Sequence, residues 1–364
     1  MHIPFFDYKR QLKKIRPEID RAIIRVLNSG KLILGQEVKN FENNFSRYVG
    51  VKYGVGVNSG TDALKIALRA LGVGPGDEVI TVSNTAVPTV SVVREVGALP
   101  KLIDIKDDYT MDETKITAAV SRKTKAIIAV HLYGQPADMP AILQVAKKYK
   151  LKVIEDCCQA HGAKIGRRQV GTFGDFACFS FYPTKNLGAY GDGGMILTNN
   201  KSLALACRAL RMYGMKNGYY SEIEGYNSRL DEMQAAILNV KLKYLNNWVR
   251  RRREIADYYL KNIKNKKIIL PKIKNNFLCS FHLFVIKTKS RSKLEKYLRA
   301  KGINYGIHYP FPIHLQTAYK FLGYKKGALP VTEKYAKQIL SLPIFPELTQ
   351  KEIIYIADKI NSWL

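Results

Sequence analysis

Three short stretches of this 364-residue chain carry residue types that do chemistry together. In Asn58-Ser59-Gly60-Thr61-Asp62-Ala63-Leu64 an apolar run gives way to small residues and then to an amphipathic helical pattern. The free N–H groups of such a helix start, with the Ser59 and Thr61 hydroxyls, suit a phosphate, although the same residues are ordinary N-caps. In Val153-Ile154-Glu155-Asp156-Cys157-Cys158-Gln159 an apolar strand delivers Asp156 at its carboxyl end. A carboxylate there can keep a ring nitrogen protonated, and can equally cap a turn. The third stretch, GDFACFSFYPTKNLG at 174–188 followed by Gly191-Asp192-Gly193-Gly194, sets Lys185 among apolar, aromatic and glycine residues. Desolvation lowers a lysine's pKa and frees its amine to form an imine, whereas a lysine near glycines is by itself commonly a surface residue.

Taken together, a phosphate cradle, an acid for a pyridinium nitrogen and a desolvated lysine are the parts that pyridoxal phosphate requires. Neighbouring cofactor classes fit poorly. Gly54, Gly56 and Gly60 are spaced one residue too wide for a dinucleotide fingerprint, and no glycine-rich loop ends in Lys-Ser or Lys-Thr. The six histidines are scattered and no Cys-x-x-Cys pair occurs, so no metal is expected. Five cysteines, two of them the neighbours Cys157 and Cys158, give no disulfide framework.

The elements that must position these groups are legible around them. GVGVN, EVITV, LPKLIDI, AIIAVHL, KVIEDC, FACFSF and GGMILT read as strands, and TDALKIALRALG, MPAILQVAKKYK and LALACRALRMYG as intervening helices. That alternation predicts an α/β domain with a mostly parallel sheet and functional loops at strand ends. One long helix is expected over 229–262. Beyond Pro271 a strand over 277–288, a helix ending at Gly302 and a closing helix suggest a small α+β domain. The division expected is 1–250 for the large domain with its N-terminal arm and 251–364 for the small one.

Lysine and arginine number 59 against 30 acids, a net charge of +29. Basic runs such as Arg250–Arg253 fit a solvated surface, steering of an anionic substrate, or nucleic acid; the first is the expectation, with no nucleic-acid partner. No apolar run long enough for a membrane span, and no signal-peptide pattern, is present, so a cytoplasmic protein without membrane contact is expected.

GVNSGTDALKIAL, EDCCQAHGA, GTFGDFACFSFYPTKNLGAYGDGGMI and GYNSRLDEMQAAIL resemble the signature blocks of the DegT/DnrJ/StrS nucleotide-sugar aminotransferases, with similarity from about residue 3 to the C-terminus. The resemblance implies the fold-type-I, aspartate-aminotransferase-like architecture and pyridoxal 5'-phosphate. It makes Lys185 and Asp156 catalytic: Lys185 holds the cofactor as an imine and Asp156 partners the pyridine nitrogen. Gln159 would lie near the ring, and Ser59, Gly60, Thr61 and Ser180 would hold the phosphate. Asn227 is similar to a residue this family supplies from a second subunit, which implies a homodimer with two composite sites.

Two departures stand out. Asn84-Thr85-Ala86 replaces a block in which many relatives stack an aromatic on the ring, and Tyr182 stands where many relatives that aminate carbon 4 carry histidine. The second departure implies transfer of an amino group, with L-glutamate as donor, to the C3 ketone of a dTDP-linked 3-keto-6-deoxyhexose. A UDP-linked 3-keto uronic acid, a 4-keto sugar nucleotide, or a non-catalytic regulator on the same fold are the alternatives. Tyr182, Arg229, His308, Tyr309 and His314 are the candidate substrate contacts.

Overall fold

The computed structural model describes residues 1–217 and 219–364. Its centre is a seven-stranded sheet of β1 (Tyr53–Val57), β2 (Glu78–Val82), β3 (Leu99–Ile103), β4 (Thr124–Val130), β5 (Lys152–Asp156), β6 (Phe176–Ser180) and β7 (Gly194–Thr198). The spatial order is β1-β7-β6-β5-β4-β2-β3. From β6 to β3 every neighbouring pair is parallel, and β7 alone runs against both of its neighbours. Every residue of β2 and β7 is buried, the continuous apolar pattern of a sheet covered on both faces.

The covering helices are α1 (Tyr8–Ser29), α2 (Gln36–Val49), α3 (Gly60–Ala70), α4 (Val87–Glu95), α5 (Met139–Tyr149), α6 (Lys201–Leu210), α7 (Glu232–Leu242) and α8 (Leu245–Asn262). Their starts follow local chemistry. Ser59, Asp138 and Asn200 each accept a backbone N–H as N-caps of α3, α5 and α6. Helix α2 begins at Gly35 without a side-chain cap of its own, and Glu232 of α7 accepts the Glu37 and Val38 N–H groups at 2.8 and 3.0 Å instead. The helix expected over 229–262 is two helices that meet at Lys243–Tyr244. Helix α7 is buried nearly all round, whereas α8 buries one stripe, and the turn between them redirects the chain from the first environment to the second.

The rest of the chain pairs β8 (Phe284–Lys287) with β9 (Ile339–Leu342), antiparallel, beside α9 (Arg291–Ala300), α10 (Pro330–Gln338) and α11 (Gln350–Asn361). Thr349 and Glu352 close a capping box at the start of α11. Phe284, Leu294, Leu340, Phe345 and Ile356 centre a second apolar core, which also takes in Ile255 and Tyr259 of α8 and Ile3 from the N-terminus. Ile3 bridges to Ile303, and residue 250 lies inside α8, so both N-terminal arm and α8 join the two cores. The strand expected over 277–288 is interrupted, because Ser280 donates its N–H to the Gly134 carbonyl and gives its own carbonyl to Asn186. That break carries the segment to the loop holding Lys185. Among the described residues no helix is long and apolar enough to cross a membrane.

Candidate active site

Sheet register gathers the three chemical stretches at one edge. Val57 pairs with Gly194 and Gly194 with Ser180, so the start of α3 stands beside the carboxyl end of β6. Asp156 pairs with Cys178, which places the end of β5 next to both. This is where an open α/β sheet offers a ligand crevice.

Helix α3 enters the site through its first turn. A Cβ added to Gly60 would lie 2.6 Å from Ser180 Cβ and 2.8 Å from Cys158 Sγ, so only glycine permits this approach of helix end to strand end. The Ser59 hydroxyl accepts the Asp62 N–H at 3.1 Å and is engaged as the cap, while the first two N–H groups, of Gly60 and Thr61, have no helical partner. Ser228 fastens the turn from outside, accepting the Asn58 N–H at 3.2 Å and donating to Asp62 Oδ2 at 2.8 Å. Its neighbours are therefore fixed in the backbone: Asn227 is exposed and bridges Met212, and the Arg229 guanidinium lies over the Tyr213 ring at 5.8 Å.

Asp156 is buried and oriented from both sides. Thr89 Oγ1 donates to its Oδ2 at 2.8 Å and the Cys158 N–H to its Oδ1 at 3.1 Å. Thr85 Oγ1 stands 2.9 Å from Thr89 Oγ1, one turn away across the start of α4. The stretch in which Ala86 replaces an aromatic thus presents a threonine pair to the carboxylate, and Thr89 is a site residue that sequence reading missed. Its signal was the i, i+4 threonine spacing around Pro88.

Lys185 rides on a closed loop. Phe181 and Gly193 tie its base by a 2.7 Å hydrogen bond, Ala189 N–H returns to the Phe181 carbonyl at 2.7 Å, and Lys185 N–H to the Tyr182 carbonyl at 2.9 Å. Gly188 is required because a Cβ there would run into the Pro183 carbonyl. Burial pushes the Lys185 amine below its ordinary pKa, against the opposing pull of Cys158 and Asp156. Three imidazoles surround it electrostatically. Burial first, and then the Lys185 charge, lower His161 to about 3, His308 to about 4 and His282 well below the usual range. All three are neutral near pH 7.

Gln159 links the two halves of the molecule. Its Oε1 accepts the Tyr133 N–H at 2.8 Å and its Nε2 donates to Tyr309 Oη at 3.0 Å. Tyr133, absent from the sequence reading, donates its hydroxyl to the His308 carbonyl, and His308 Nδ1 meets Ser341 Oγ at 2.9 Å. His308 and Tyr309 are therefore at the site. His314 is not: it is 1% exposed, with Nδ1 at 2.7 Å from Ser83 Oγ and Nε2 at 3.1 Å from Glu333. Its expected substrate contact is replaced by a buried strut that fixes the end of β2. Tyr182 is 53% exposed, its ring turned to the open side of the loop.

His131, Glu155 and Cys157 lie within 4.8 Å of one another, a spacing that metals use. Here the Ala137 N–H donates to His131 Nδ1, which leaves Nε2 protonated toward Glu155, and Glu155 also accepts the N–H groups of Gly171, Phe173 and Gly174. His131 and Glu155 thus have their polar atoms engaged by each other and by backbone N–H groups.

The remaining donor set suits pyridoxal phosphate: unpaired N–H groups at a helix start for an anion, a fixed carboxylate, and a desolvated primary amine. The family signature of the DegT/DnrJ/EryC1/StrS aminotransferases matches residues 13–361. The chain belongs to this family. It is a pyridoxal-phosphate-dependent aminotransferase, as the family is. A Geobacillus stearothermophilus protein named "Pleiotropic regulatory protein" is 46% identical, over 100% of this chain and 99% of its own. A dTDP-3-amino-3,6-dideoxy-alpha-D-galactopyranose transaminase of Aneurinibacillus thermoaerophilus is 46% identical over 99% of each chain. The crystal structure of S. venezuelae DesV in complex with a ketimine intermediate has a TM-score of 0.98 and 43% identity, covering 100% of this chain and 98% of that one. The family resemblance read from the signature blocks is thereby established over almost the whole chain, and with it the fold class.

Proposed function

We infer that this aminotransferase moves an amino group from L-glutamate to the C3 ketone of a nucleotide-linked sugar, with a dTDP-linked 3-keto-6-deoxyhexose as substrate. The observation that carries the reading is the desolvated Lys185 amine, within electrostatic reach of Asp156 at the carboxyl end of the strands, in a chain 46% identical to a dTDP-3-amino sugar transaminase. A catalytic reading is favoured over a regulatory one because the chain keeps both the lysine and the acid of that pair, beside a helix start with N–H groups free for a phosphate.

In this reading the Gly60 and Thr61 N–H groups and the Ser180 hydroxyl bind the phosphate, with Asn227 contributed by a second copy of the chain in a homodimer. Asp156, held by Thr89 and Cys158 N–H, would keep a proton on the pyridine nitrogen, and Gln159 would help to hold the ring. Bound there, the cofactor supplies an electron sink for a carbanion. Lys185 Nζ would hold the cofactor and, once free, would hold and move the proton at the donor carbon. Tyr309 accepts from Gln159, which leaves its own hydroxyl proton, on a group pushed up to about 12 by burial, free to donate into the site. Tyr182, His308, Tyr309 and Arg229 are the proposed substrate contacts.

The test is a panel of nucleotide-linked 3-keto and 4-keto sugars, with dTDP and UDP carriers, each incubated with glutamate and read by product mass and by the carbon bearing the new amine. Amination at carbon 3 of the dTDP sugar is expected. Fast amination of a 4-keto sugar with the 3-keto isomers inert would overturn the assignment.

A further inference from the structure

The loop that carries Lys185 rests on one helix. Helix α7 sends two polar side chains to it, Gln234 and Lys241, seven residues apart and so two turns along the same face. Gln234 takes the Tyr190 N–H on its Oε1 at 2.9 Å and returns its Nε2 to the Tyr190 carbonyl at 3.5 Å. Gly191 leaves room for this amide, since a Cβ there would lie 3.1 Å from Gln234 Nε2. Lys241 Nζ donates to the Gly188 carbonyl.

Lys241 is an unusual residue for a helix interior. It is 2% exposed and is met by a carbonyl and two aromatic faces, Tyr190 at 4.6 Å and Trp248 at 6.0 Å; among the described residues no carboxylate pairs with it directly, and the Glu347 charge acts on it from beyond ion-pair distance. Burial disfavours the charged form and pushes this amine down to about 7, so its place here is unfavourable beyond what the one carbonyl and two rings return. Its side-chain hydrogen bond among the described residues lands three residues after Lys185, at the glycine where the loop turns back on Pro183. The far side of α7 is itself anchored, because Glu232 caps α2.

We propose that Lys241 and Gln234 are positioning residues for Lys185: together they clamp residues 188–190 against α7 and so fix where the reactive amine stands. The proposal rests on Lys185 being the residue to which pyridoxal phosphate attaches. It does not involve contact between either clamp residue and cofactor or substrate.

The experiment compares full-length wild type, Lys241→Met and Gln234→Leu. Met keeps the volume of the buried lysine stem without a donor, and Leu keeps that of Gln. Pyridoxal phosphate is added to each cofactor-free protein, covalent attachment is followed by its visible absorbance, and borohydride-trapped protein is digested to locate the modified peptide. Thermal midpoints are measured in parallel. Attachment is expected to slow about tenfold in each variant, equivalent to about 1.4 kcal/mol of lost orientation, while the midpoint of Lys241→Met stays level or rises, as for a buried charge replaced by an apolar group. Wild-type attachment rates in Gln234→Leu and Lys241→Met would overturn the proposal and leave the role of Lys185 standing. Trapping on a peptide without Lys185 would overturn the functional reading itself. If Lys241→Met fails to fold, Gln234→Leu, whose side chain is only half-buried, decides the matter alone.

Discussion

Thr89 Oγ1 donates a 2.8 Å hydrogen bond to Asp156 Oδ2, joining the first turn of α4 to the end of β5. With Cys158 N–H on the other oxygen, the carboxylate is held in one orientation, and each oxygen keeps a lone pair for a ligand. Thr89→Val removes the donor at nearly constant volume. Turnover is expected to fall about tenfold, with less change in cofactor retention, as measured by steady-state rates and absorbance after gel filtration. Asp156→Asn loses the charge altogether, and turnover should fall by orders of magnitude while the folded protein still retains cofactor.

Lys185→Ala removes the nucleophile and few core contacts. The variant is expected to fold, with a thermal midpoint close to wild type, and to show no borohydride-stable attachment of pyridoxal phosphate. A cofactor adduct of normal yield in that variant would mean that another amine does the work.

Gly60→Ala tests the approach of α3 to β6. The new methyl group meets Ser180 and Cys158 well inside contact distance, so the helix start must retreat. Overpacking of this kind costs about 1–3 kcal/mol, and cofactor affinity is expected to weaken by about tenfold or more in a titration followed by fluorescence. Unchanged affinity would show that the phosphate lies elsewhere.

His161 is fully buried among Phe45, Phe179 and Phe181, and burial holds it at about 3. In the unfolded chain the same imidazole titrates near 6.5. Between these two values the unfolded state binds the additional proton, so stability is fully present above about 6.5 and declines as pH falls through the window, by up to about 1.4 kcal/mol per pH unit from this residue. His161→Phe should flatten that decline. Urea midpoints of wild type and variant from pH 7 to pH 4.5 are the measurement, and parallel curves would contradict it.

The proposed homodimer makes activity depend on concentration. If Asn227 completes the phosphate site of a second copy, dilution below the dissociation constant should reduce cofactor affinity and turnover together. A fully active monomer in sedimentation would remove Asn227 from the site.

What the sequence determined by itself was the family, the alternation of elements and which residues are candidates for the chemistry. Lys185, Asp156 and the start of α3 carry their meaning in local patterns, an apolar strand ending in an acid and a helix beginning in small residues, and such patterns survive without tertiary contacts. The same holds for the alternation of strands and helices that fixed the sheet. Tertiary structure alone decided which polar groups meet. His314 closes onto Ser83 and Glu333 across 231 and 19 residues. Thr89 reaches Asp156 over 67 residues, and Lys241 reaches Gly188 over 53. A histidine in a polar loop and a lysine in an apolar helix look the same in sequence whether they face solvent or the interior. Their partners lie far along the chain, and only packing brings those partners within the short range over which a hydrogen bond acts.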